Sequence, residues 1–169
     1  MQKLIIFRGA PSSGKSTIAK SLRSFDNKIV WLKVDNFKDF FGEDSSKALD
    51  SANLGAIAFL GYLLENGYSV VMEGIFQNPN YVLESTEMAK SRNIPFKIFE
   101  LECSLEELQR RDKKREGIKE GCRKPLGDAA ISRIYHALKE TPVENAEKLD
   151  TQKLSIDEVI KLLKQVLTT

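Results

Sequence analysis

Eight residues near the start of the chain carry its clearest chemistry. In "GAPSSGKS", Gly9 and Gly14 bracket Ala10, Pro11, Ser12 and Ser13, and Lys15, Ser16 and Thr17 follow at once. The spacing is G-x-x-x-x-G-K-[ST]. Glycines let a backbone turn tightly with successive N–H groups pointing inward, and a helix starting at the same corner adds the positive end of its dipole. Such a corner is a nest for the phosphates of a nucleoside triphosphate. Lys15 would add a full charge at the β- and γ-phosphates. The Ser16 hydroxyl would offer an oxygen to Mg²⁺, a cation that keeps several of its waters. The bland alternative is a Gly/Ser-rich turn that merely joins two elements. The apolar run before it (residues 3–7) and the amphipathic pattern after it (residues 16–25) favour the nest.

Three further places could act on a bound triphosphate. "IVWLKVD" reads as a strand over residues 29–35 that ends on Asp35, where parallel strands present ligand residues. A carboxylate there could take the proton of an acceptor hydroxyl; it could equally cap the following "DNFKDFF". Glu73 ends the run "VVMEG". It could bind acceptor hydroxyls, hold Mg²⁺ through water, or be an exposed strand end. Arg111 and Arg115 stand four apart and so share a helix face. Guanidinium groups suit the charge that spreads over a phosphate in transfer. Gly117, Gly121 and Gly127 after them suit a lid over roughly residues 110–139. The alternative is a solvated charged helix paired with its own acids. His136, the one histidine, falls in the second lid helix and reads as packed or exposed rather than catalytic.

The elements that must hold these residues alternate along the chain. Five apolar runs predict strands at residues 3–7, 29–35, 68–74, 95–103 and, more weakly, 146–151. Helical patterns lie between them at residues 16–25, 46–65 and 80–92, after Ser104, from a cap at Asp128, and after Ser155. Ser104 with Glu107 and Ser155 with Glu158 have capping-box spacing. Strand–helix alternation predicts an α/β fold, a three-layer arrangement with a five-stranded parallel sheet flanked by helices. The sequence contains no repeat, low-complexity tract or linker and reads as one domain over residues 1–169.

Composition bounds the function. The 169 residues are 41% hydrophobic and 30% charged with a net charge of +2, an ordinary folded composition without the basic excess of a tight nucleic-acid binder. Cys103 and Cys122 have no metal-type spacing and read as reduced thiols of a cytoplasmic protein. "MQKLIIF" is too short for a signal sequence, and "LGAIAFLGYLL" is too short to span a bilayer.

Four motifs carry a family resemblance: "GAPSSGKST", "VDNF", "VVMEG", and "CSLEELQRRDKKR" leading into "DAAISRIYHAL". With them the chain resembles the small P-loop kinases that include the kinase domain of bacteriophage polynucleotide kinase, zeta-toxin kinases and chloramphenicol phosphotransferase. The resemblance covers nearly the whole chain. It implies that Asp35 is the catalytic carboxylate, Arg115 the lid arginine that touches the transferred phosphate, and Arg111 its helical companion. Lys38 stands where polynucleotide kinases hold an acceptor's 3′-phosphate with arginine.

The expectation is an ATP- and Mg²⁺-dependent phosphotransferase. Residues 9–17 would cradle ATP, with Ser16 on the metal. Asp35, Lys38 and Glu73 would face a small-molecule or nucleotide-like acceptor. A polynucleotide 5′-hydroxyl kinase is one alternative. An ATP-binding regulatory module with incidental hydrolysis is another. A GTPase is disfavoured because no NKxD-type guanine signature is present.

Overall fold

The computed structural model describes residues 2–42, 45–115 and 124–168. In chain order the elements are β1 (Leu4–Arg8), α1 (Lys15–Arg23), β2 (Ile29–Lys33), α2 (Val34–Lys38), α3 (Ser46–Glu65), β3 (Ser69–Gly74), α4 (Asn80–Lys90), β4 (Phe96–Glu102), α5 (Leu105–Lys113), α6 (Asp128–Glu140), β5 (Glu147–Asp150) and α7 (Ile156–Thr168). The strands form one sheet in the order β2-β3-β1-β4-β5, with every pair parallel.

The central strands are apolar on both faces because both faces are covered. On one side Leu4, Ile6, Val70, Met72 and Ile98 lie against Leu60 and Leu64 of α3 and Val82 of α4. On the other, Ile5, Phe7, Val71, Phe99 and Leu101 meet Ile18 and Leu22 of α1 and Val159 and Leu163 of α7. A third, smaller core joins Ala10 of the opening loop to Leu108 of α5 and Ile131, Ile134 and Leu138 of α6.

The strand order explains where a ligand can sit. From β1 the chain crosses to the edge strand β2 and returns through β3, and from β3 it crosses to β4 on the far side of β1. The crossovers after β1 and β3 therefore diverge, and the crevice between their C-terminal ends is the switch point of the sheet. Register places Phe7 beside Glu73 and Arg8 beside Gly74 at that point.

Capping follows the sequence signals at some helix ends and departs from them at others. Ser155 and Glu158 form the full reciprocal box at α7, with amide-to-side-chain bonds of 2.8 and 3.3 Å. At α5 only half of the box forms. Ser104 Oγ accepts from the Glu107 amide at 3.3 Å, but Glu107 turns to Arg110 and Arg111, and Gln152 accepts from the Ser104 amide instead. The cap of α6 is Gly127, one residue earlier than expected, and Asp128 lies in the first turn paired with Lys113 at 2.8 Å. The second strand stops at Lys33 rather than Asp35, because residues 34–38 coil into α2.

One buried cation ties the layers together. Arg8 is completely buried. It donates from Nε to the Phe76 carbonyl at 3.1 Å, from one terminal nitrogen to Glu100 at 2.7 Å, and from the other to the carbonyl and hydroxyl of Thr141. Burial pushes its pKa down and Glu100 counters that. With all three of its nitrogens hydrogen-bonded and a carboxylate beside it, the charge is tolerated where an unpaired one would not be.

Candidate active site

Backbone conformation builds the glycine-loop end of the crevice. Gly9 passes so close to β4 that a Cβ there would sit 2.8 Å from the Leu101 carbonyl oxygen. Gly14, at φ 96°, is the N-cap of α1 in the left-handed region that glycine adopts without strain. Between them Ala10 is buried in the third core, Pro11 starts the turn, Ser12 takes a left-handed φ of 67°, and Ser13 is fully buried. Lys15 begins α1 and folds back over the loop. Its Nζ donates to the Gly9 and Ala10 carbonyls at 2.8 Å each and to Ser13 Oγ at 3.4 Å. Burial lowers its pKa to about 8, against the pull of Glu73 and Asp35 and with the push of Arg115 and Lys33. Ser16 is half-buried and Thr17 exposed, and both line the crevice.

Glu73 is buried to 2% exposure, so the reading of an exposed strand end is corrected. Its carboxylate accepts from Trp31 Nε1 at 2.9 Å and from the Ser16 hydroxyl. Burial holds its pKa above the usual carboxylate value, with Lys15 and these donors opposing. Two oxygen donors suited to a hard cation, Ser16 and Glu73, are thus neighbours at the helix start.

Asp35 lies in the first turn of α2, and the N-cap of that helix is Lys33, so Asp35 is not the cap. It lines the same crevice as the loop and is near enough to Lys15 to act on its charge. Lys38 ends α2 and also lines the crevice.

The arginine pair is organised differently from the shared helix face that its spacing predicts. Helix α5 ends at Lys113, so Arg115 stands beyond it, its amide bonded to the Asp112 carbonyl at 3.0 Å. Arg115 Nε lies 3.5 Å from Asp112 Oδ1. Arg111 stays in the helix and reaches β5's exit, donating to Thr151 O at 2.7 Å and to Glu107 at 2.8 Å. Both guanidiniums line the crevice. Of the expected lid, Gly117, Lys119, Gly121, Cys122 and Arg123 lie outside the described residues. His136 is exposed, its ring edge-on to Tyr135 at 5.4 Å. Cys103 is a free thiol.

The crevice has a volume of about 710 Å³ and continues past Asp35 into an end that the sequence did not point to. There α3 contributes Asp50 and Asn53, the β3–α4 loop Phe76 and Gln77, α4 Tyr81, and α6 Arg133. Tyr81 donates to Asp50 Oδ1 at 2.7 Å, and burial with that carboxylate pushes its pKa up to about 12. Phe76 holds a left-handed φ of 49°, its carbonyl fixed by Arg8 and its ring against Gly74, where a Cβ would come within 2.8 Å.

The crevice at the switch point thus has a glycine loop and a lysine at one end and a mixed polar lining at the other. Residues 4–141 match the model of the AAA domain family. The chain belongs to the AAA domain family. A comparison with curated proteins finds no match. Among solved structures, the APS kinase of Mycobacterium tuberculosis in complex with AMPPNP and APS is similar over 99% of this chain and 98% of that one, at 17% identity and a TM-score of 0.67. An unliganded sugar kinase from Janibacter sp. HTCC2649 is similar over 99% and 95%, at 17% identity and a TM-score of 0.70. A chain of the Pnkp1/Rnl/Hen1 RNA repair complex shares 25% identity over 83% of this chain and 45% of its own length, with a TM-score of 0.62. The fold is that of P-loop kinases. Among the described residues no helix is long and apolar enough to cross a membrane.

Proposed function

We propose that this member of the AAA domain family is an ATP-dependent phosphotransferase that moves the γ-phosphate to a hydroxyl of a small-molecule or nucleotide-like acceptor. The observation that carries this reading is convergence. Asp35, Glu73 and Arg115, from three separate parts of the chain, all act on the charge of Lys15 and all line one crevice with it.

The roles follow from chemistry. The amides of residues 9–16 and the start of α1 bind the polyphosphate. Lys15 exchanges its bonds to the Gly9 and Ala10 carbonyls for phosphate oxygens. Ser16, with Glu73 through water, would hold Mg²⁺, which neutralises charge between the β- and γ-phosphates. Asp35 orients the acceptor hydroxyl and takes its proton as the new O–P bond forms. Arg115, helped by Arg111, stabilises charge on the transferring group. Lys38 and the Asp50–Tyr81 pair meet the body of the acceptor.

A polynucleotide 5′-hydroxyl kinase is the second reading, favoured by the 25% identity to a chain of the RNA repair complex. One experiment separates these. ADP release by the purified protein is measured with MgATP and a panel of nucleosides, sugars, antibiotics and 5′-hydroxyl oligonucleotides. Stimulation by a small hydroxyl compound alone supports the first reading. Stimulation confined to oligonucleotides supports the second. Tight ATP binding with no stimulation by any acceptor makes the protein a nucleotide-binding module and overturns both.

A further inference from the structure

Asp112 is in the wrong place for an ordinary surface acid. It lies in the last turn of α5, where the helix dipole disfavours negative charge, and it is 1% exposed, where an unpaired carboxylate is costly. The proposed phosphoryl-transfer chemistry gives it no role. Its contacts account for both costs. Oδ2 accepts from the amides of Leu126 and Gly127 at 2.8 and 3.0 Å. Oδ1 accepts from Ser12 Oγ at 3.4 Å and lies 3.5 Å from Arg115 Nε.

These four partners belong to three parts of the crevice wall. Ser12 is the left-handed tip of the phosphate loop. Arg115 is the guanidinium assigned to the γ-phosphate. Gly127 is the N-cap of α6 and Leu126 precedes it; the helix has no side-chain cap of its own, and the N-cap amide is one of the four at a helix start that lack an intrahelical partner. Asp112, from a different helix, accepts from that N-cap amide and from the one before it. The small core of Ala10, Leu108 and Ile131 lies alongside, so the loop, α5 and α6 meet both through apolar packing and at this one carboxylate.

We propose that Asp112 is a positioning residue that sets Arg115 and the start of α6 against the tip of the phosphate loop. Its two oxygens are divided between two tasks. One caps α6 and the other directs Arg115 and Ser12, so the arginine's reach toward a γ-phosphate is referenced to the loop that holds the β-phosphate. The proposal rests, for its directing half, on the reading of Arg115 as the γ-phosphate ligand.

The test compares D112N, R115A and the double variant, each first checked for a cooperative thermal transition. Affinities for MgAMPPNP and MgADP are measured by calorimetry, and amide exchange is followed at Leu126 and Gly127. R115A is expected to lower the AMPPNP-to-ADP affinity ratio about fivefold, D112N to lower it by a similar factor, and the double variant to add little, the mark of two residues acting as one unit. D112N alone is expected to speed exchange at Leu126 and Gly127 about tenfold. A wild-type ratio and wild-type exchange in D112N, with R115A impaired, overturns the proposal. A wild-type ratio in R115A overturns the assignment of Arg115 and the directing half with it; faster exchange in D112N then still supports the capping half. If D112N does not fold, the wild-type protein decides: protected Leu126 and Gly127 amides support the cap, and freely exchanging ones overturn it.

Discussion

The two ends of the crevice, the one proposed to take phosphate and the one proposed to take the acceptor, are built in different ways. At the phosphate end the polar groups are already engaged within the protein: Lys15 on two loop carbonyls, Glu73 on Trp31 and Ser16, Arg111 on Thr151. The loop geometry there is fixed by backbone, by the close approach of Gly9 to β4 and the left-handed Gly14. At the acceptor end single residues arrive from α2, α3, the β3–α4 loop, α4 and α6, and Tyr81 of α4 donates to Asp50 of α3. A preorganised end defines a reaction class, because polyphosphate is the same in every substrate pair. An end assembled from scattered side chains can change its acceptor without disturbing the chemistry.

Mutations should separate the two ends, and Asp35, at their junction, should show the largest effect. Asp35→Asn is expected to cut turnover by about 10²–10⁴ while MgATP affinity stays within about twofold of wild type, read by ADP release and calorimetry. Parallel losses in turnover and ATP affinity would move Asp35 to the phosphate end. Lys15→Met comes next, with a loss of about 10–100-fold in ATP affinity. Its pH dependence carries a sign. Free Lys15 loses its proton above about pH 8, and bound polyphosphate restores it, so binding takes up a proton there. Affinity is therefore full below pH 8 and falls by up to about tenfold per unit above it. Calorimetry in buffers of different ionisation heat reads the proton uptake, and Lys15→Met abolishes it.

Glu73→Gln should be smaller and selective, raising the Mg²⁺ concentration for half-maximal activity by about tenfold. An unchanged Mg²⁺ titration with an altered acceptor KM would instead put Glu73 on the acceptor. Tyr81→Phe should have the smallest effect, about 2–10-fold in acceptor KM with ATP KM unchanged. A change in ATP KM would erase the distinction between the ends.

Most of the fold and the glycine loop after β1 were legible in the sequence for one reason: both are written in local pattern. Both-face burial makes the central strands continuous apolar runs, and the loop's glycines and lysine fall at fixed spacing. The break between β2 and α2 was not legible because no Gly, Pro or capping side chain separates Lys33 from Val34. The burial of Glu73 depends on Trp31, brought beside it by sheet pairing of β2 with β3. Asp112, among the cations of residues 110–115, looks like an intrahelical ion-pair partner. Its closest bonds go to amides 14 and 15 positions further along. Arg8 likewise reads as a polar strand end, and only the third dimension supplies Phe76, Glu100 and Thr141.

The central claim is that the loop after β1 grips a polyphosphate whose terminal group faces Asp35 across the crevice. A crystal structure with AMPPNP and Mg²⁺ tests it most directly. The account predicts β- and γ-phosphates in the amide nest of residues 9–16, Lys15 moved from the Gly9 and Ala10 carbonyls onto phosphate oxygens, and the Asp35 carboxylate directed at the γ-phosphate. Nucleotide bound elsewhere, or Asp35 turned away from the γ-phosphate, would contradict it.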